Sequence, residues 1–127
     1  MRVLKSVQTK LCVDGSVMKE FVLDEPLTGE FLKFLEGFGR IRRLDQLKKP
    51  YFSFEKDQFI SIKGFIGEDS VEVRYKPEFK DLVGDYFHLL LFYYGEGERG
   101  IAALEGISET IGRKIRIRTG SSHFSET

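Results

Sequence analysis

The run Gly95-Glu96-Gly97-Glu98-Arg99-Gly100 spells G-x-G-x-x-G. Between a strand and a helix such a run can hold a dinucleotide, because glycines allow the tight turn, the approach to pyrophosphate and close helix packing. The neighbouring pattern supplies that setting, with Tyr86 to Tyr94 reading as a strand and residues 98–111 as a helix. Glu96 and Glu98 oppose it, since they would meet a pyrophosphate with like charge. No acidic residue ends a following strand to take a ribose hydroxyl, so Arg116 or Arg118 would have to meet a 2′-phosphate instead. A plain strand-to-helix turn with an acidic helix start explains the same residues without a ligand. No cofactor is therefore expected, and Gly95, Gly97 and Gly100 are the positions on which a nucleotide-binding enzyme would depend.

A second chemistry is phosphate binding. Arg40, Arg42, Arg43, Lys48 and Lys49 crowd one connector, and Arg113, Lys114, Arg116 and Arg118 crowd the C-terminal region. If the two clusters met in space they would bind a nucleic-acid backbone, with Tyr51, Phe59 or Phe65 stacking on bases from a sheet. Twenty Lys and Arg against twenty Asp and Glu exclude binding through the whole surface and leave a local patch. The simpler account is solvated basic faces balancing the acidic stretch from Glu96 to Glu109.

Catalytic groupings are sparse. Cys12 is the sole cysteine, so it forms no internal disulfide, and four-ligand zinc would need more histidines than His88 and His123. Asp81 and Asp85 would share a face only if their segment were helical. No nucleophile stands beside a base in the sequence, so an enzyme is the less favoured class. The favoured one is a non-catalytic binding or self-assembly module. Its partner is expected to be a second copy, a homodimer formed through an apolar sheet face, because Phe59 beside Ile60 and Phe65 beside Ile66 put large apolar groups on both faces.

These residues need elements to hold them. From Pro50 to Pro77, Phe52 and Phe54, then Ile60 and Ile62, then Val71, Val73 and Tyr75 alternate with polar residues. Period two with short polar links predicts a three-stranded meander with one dry face. Val7, Thr9, Leu11 and Val13 run up to Asp14-Gly15, which predicts an N-terminal hairpin over residues 2–23 with a type I′ turn. Thr28 caps a helix carrying Phe31, Leu32, Leu35 and Phe38, with Gly37 and Gly39 ending it. Arg40 to Lys49 is a basic connector, with Ile41, Leu44 and Leu47 three apart as in a turn of helix. A short turn or helix from Glu78 to Val83 leads to a strand over residues 85–94, because Gly84 interrupts a helix there. The last helix runs from Glu98 to Ile111, and Ile115 and Ile117 among arginines predict an edge strand over 113–118.

The expected fold is a single α+β domain over residues 1–118, a mainly antiparallel twisted sheet with two helices on one face, in the order β-β-α-β-β-β-(β)-α-(β). Residues 119–127 are expected to be a disordered tail. The order resembles a half-unit of the TATA-binding-protein fold in architecture alone and shares no motif with it, so it implies no function. No apolar run suits a membrane span and no signal sequence opens the chain, so no membrane is expected and the cytoplasm is the expected compartment.

Overall fold

The computed structural model describes residues 1–46, 48–57 and 59–119. Alternation in the middle of the chain does what period two requires. β4 (Tyr51–Lys56), β5 (Ile60–Phe65) and β6 (Ser70–Tyr75) form an antiparallel meander, with Phe54 opposite Ile62 and Ile62 opposite Val73. β1 (Val3–Leu11) and β2 (Val17–Leu23) make the N-terminal hairpin, and β2 pairs with β6, setting Phe21 against Val71. Six strands result, in the order β1-β2-β6-β5-β4-β3, every pairing antiparallel.

α1 (Gly29–Glu36) begins where expected: the Thr28 hydroxyl accepts from the Phe31 amide at 3.2 Å, and Phe31, Leu32 and Leu35 are buried. α2 (Lys80–Tyr94) follows a 3-10 turn at Pro77–Phe79, and α3 (Gly97–Thr119) returns antiparallel to it, so that Tyr86 meets Ser108 and Asp81 meets Arg118. The helices cover the face that carries Phe52, Phe54, Ile60, Ile62, Val71 and Val73, and this layer is the hydrophobic core. Phe21 lies 4.9 Å from Phe87 and Phe59 lies 5.5 Å from Tyr86, ring centre to ring centre, which fixes α2 across the sheet.

Four expectations are corrected. Residues 85–94 are helical, because α2 is wedged between the sheet and α3 and so buries Leu82, Val83, Tyr86, Phe87, Leu90 and Leu91 on two flanks, which hides a single helical stripe. Residues 113–118 continue α3 and form no edge strand; in a helix Ile115 and Ile117 point different ways, and Ile117 is exposed. The basic connector contributes β3 (Arg40–Leu44), which pairs with β4 and sets Ile41 beside Phe54. The Asp14-Gly15 turn is not type I′, since of these two residues Gly15 alone has positive φ, +88°. Asp14 instead accepts from the Ser16 amide at 3.0 Å and from its hydroxyl at 2.6 Å, an aspartate turn that satisfies the loop. The C-terminal tail from residue 120, with His123, and Leu47 lie outside the described residues.

Candidate functional site

The glycine run lies between two helices, so the strand that a dinucleotide fingerprint needs is absent from it. Gly97 and Gly100 have a conformational and a packing reason, respectively, in the α2–α3 corner. Gly95 caps α2, and Gly97 takes φ +64° to turn the chain. A Cβ on Gly100 would lie 2.5 Å from the Tyr93 carbonyl oxygen, so only glycine lets α3 start against the end of α2.

The basic candidates separate. Arg40 and Arg42 share the sheet face turned away from the helices, while Arg43 sits on the other side, opposite Phe52 in register, and pairs with Asp45. Lys48 lies in the exposed β3–β4 connection, and Lys49 pairs with Glu68. Arg118 makes a two-pronged contact with Asp81 at 2.8 and 2.9 Å and also donates to the Glu78 carbonyl. That bond holds the Asp81 carboxyl well below its ordinary pKa and raises the arginine. Arg116 lines a groove of about 310 Å³ with Lys56, Asp57, Glu105 and Glu109, beside the turn that feeds β3. Carboxylates thus interleave with both clusters.

Among the described residues no element covers the face opposite the helices, which is mainly polar. Registers carry Arg42, Ser53, Lys63, Glu72 and Glu20 across it in one row, with Lys63 opposite Glu72. Phe59 and Ile60 are both buried under the helices and put nothing on this face, whereas Phe65, 40% exposed, lies on it while Ile66 packs against the core, so one of the two expected pairs reaches both faces. Tyr51 and Phe65, ring centres 5.1 Å apart, are the aromatic pair of this face; burial and the nearby Glu72 raise the Tyr51 hydroxyl pKa. At one end of the sheet a cleft of about 300 Å³ holds Asp14, Ser16, Glu55, Asp57, Arg74 and Lys76. Ser16 Oγ donates a hydrogen bond to the Asp14 carboxylate with no imidazole between them, a turn contact and not an activated nucleophile. Among the described residues no cluster of His, Cys, Asp and Glu suits a metal, and no helix is long and apolar enough to cross a membrane.

Further clefts of about 200 Å³ beside Tyr51, Lys63 and Phe65 and about 410 Å³ between α2 and α3 add to these, and two other features adjoin one another. The first is β1, the outer strand of the sheet, whose neighbour is β2 and which passes beyond the helix layer. Leu4, Val7 and Leu11 are 61%, 51% and 73% exposed there. Its ladder with β2 slips twice, between Val3 and Lys5 and between Ser6 and Gln8, and then runs regularly to Leu11. The second is a cleft of about 140 Å³ between β2, β6 and α2, floored by Phe21, Val73, Val83 and Phe87. Lys19, Lys80 and His88 stand at its rim; the Lys19 ammonium lies 5.5 Å from the Phe21 ring centre, and His88 Nδ1 donates to the Gly84 carbonyl at 2.9 Å. Register places Ser6 opposite Phe21 and Thr9 opposite Lys19, so β1 runs beside the strand that lines this cleft.

Neither feature was singled out by the sequence. Its one signal was Gly84, a glycine inside an otherwise helical pattern, which costs about 1 kcal/mol relative to alanine. Comparison with protein-family models, with curated proteins and with solved structures finds no match to this chain.

Proposed function

We propose that the protein is a non-catalytic binding module that takes an extended acidic segment of a partner along the outer edge of β1. The observation that supports this reading is the exposed aliphatic edge itself: nine residues of strand with free backbone groups and with Leu4, Val7 and Leu11 open to solvent. Such an edge is a template for strand addition, in which main-chain bonds give affinity and alternate side chains give selectivity. Charge selects the occupant. From Met1 to Val13 the chain carries Arg2, Lys5 and Lys10 and no carboxylate. Arg2 is engaged by Asp24, which leaves Lys5 and Lys10 along the strand. A second copy would bring like charge to the same seam, whereas an acidic strand complements it.

The test is fluorescence anisotropy with a labelled peptide of alternating valine and glutamate, beside hydrogen exchange of the β1 amides. Binding with slowed exchange at Gln8 to Leu11, weakened about tenfold by joint Lys5→Glu and Lys10→Glu changes, supports the reading. Lack of binding even at low salt sinks it. Dimers in sedimentation that Leu11→Asp dissociates would instead make the partner a second copy. A nucleic acid would replace the peptide if single-stranded RNA bound with steep salt dependence and the loss followed Arg42→Glu on the open face, beside Tyr51 and Phe65, and not the β1 changes.

A further inference from the structure

Gly84 has no conformational or packing reason to be glycine. It lies inside α2 without positive φ, and a Cβ built on it would meet nothing within 4 Å. Gly100 on α3 is the contrast, since there a Cβ collides with backbone. What the missing side chain at Gly84 provides is space, and the space is the cleft between α2 and the sheet. Its volume, about 140 Å³, is that of a cavity that accepts one benzene-sized group. The floor is phenylalanine and valine, the rim is Lys19, Lys80 and His88, and among the described residues no Asp or Glu lines it.

We infer that this cleft seats one apolar group carrying a carboxylate and, resting on the reading of β1 given above, that the group belongs to the same acidic segment. The apolar part rests on the floor made by Phe21, Val83 and Phe87 beside Gly84, where it removes surface from water. The carboxylate stays at the rim, where Lys19 and Lys80 give it two ammonium partners at the edge of a low-dielectric surface. A neutral group of the same shape gains the first contact and forfeits the second. An extended chain paired with β1 runs two strand spacings, about 10 Å, from Phe21 and Lys19 on β2, so an end of it that turns across β1 reaches this opening.

Amide NMR of the full chain, titrated with phenylacetate and hexanoate and with phenylacetamide and hexanamide as neutral counterparts, tests the seat. The acids are expected to shift the Lys19, Phe21, Gly84 and His88 amides, with a dissociation constant on the order of 1 mM for ligands this small. Lys19→Gln with Lys80→Gln should weaken phenylacetate about tenfold. Gly84→Leu, which fills the space and favours helix, should abolish binding while raising the melting temperature, so loss through misfolding is excluded. No shift at these amides, equal binding of phenylacetamide, or unchanged phenylacetate binding by Gly84→Leu overturns the inference.

The alternating valine–glutamate peptide, ending in a C-terminal phenylalanine so that ring and carboxylate sit on one residue, separates the two proposals. Displacement of phenylacetate by this peptide supports the shared source. Phenylacetate bound in a protein that ignores the peptide ends the link to β1 and leaves the carboxylate seat standing. Peptide bound with undiminished affinity by the Gly84→Leu variant ends the seat's role as its anchor.

Discussion

The middle of the sheet and its β1 flank are written in nearly the same residues and live in opposite surroundings. On β4, β5 and β6 the inward rows, Phe52 and Phe54, Ile60 and Ile62, Val71 and Val73, are almost wholly buried under α1 and α2. On β1 aliphatic residues continue past the helices and stand in water. Alternation therefore reports that a segment is a strand, while coverage is decided by where helices of finite width are laid. Sheet width exceeds helix width here, and the surplus strand is where aliphatic side chains stay in contact with water.

The largest expected contrast comes from truncating the covered rows. Phe54→Ala should cost about 3 to 5 kcal/mol in denaturant unfolding, because the ring is fully buried and its neighbours cannot collapse into the void. A loss near the surface range would mean that the helix layer is loose and that middle and flank are alike. Next is Gly39, at the entry to β3, where a Cβ would come within 2.6 Å of both the Glu55 carbonyl oxygen and the Phe54 ring. Gly39→Ala should cost about 1 to 3 kcal/mol by overpacking, measured in the same way.

A smaller effect tests how tightly α3 closes the middle. The Tyr86 hydroxyl accepts from Ser108 Oγ at 3.1 Å, and burial pushes its pKa up from 10.0 to about 12. Its folded pKa lies above its unfolded one, so the stability it contributes is present below pH 10.0 and fades as pH rises toward 12. Tyr86→Phe should cost about 1 kcal/mol near neutrality and flatten the alkaline limb of the stability profile. An unchanged alkaline limb would place Tyr86 in water. The smallest effect belongs to the flank: Leu11→Ala should change stability by no more than about 0.5 kcal/mol, and a larger loss would show that β1 is covered after all.

Much of this contrast was legible in the sequence, and its boundary was not. The meander, the first hairpin and the Thr28 cap follow from period two, turn chemistry and capping, which act within a few residues. α2 was unreadable for a tertiary reason: a helix gripped by a sheet on one side and by α3 on the other has two apolar flanks, and Tyr86 to Tyr94 then looks like a buried strand. β3 was missed because arginines dominate an edge that only pairing with β4 makes into a strand. Of the candidate sites, the glycine run was visible as a motif, but its meaning depended on whether a strand or a helix preceded it. Lys19, Lys80 and Phe21 come together only when β2 and α2 do, and no spacing in the chain announces that.

The two rims of the sheet bear on a different hazard. β1 presents Lys5 and Lys10, and β3, five residues long, presents Arg40, Arg42 and Arg43. Copies stacked rim to rim would set ammonium against guanidinium at every junction, so repulsion recurs with each added molecule. Like charge at both rims thus disfavours a ribbon of copies, although the sheet carries an open edge.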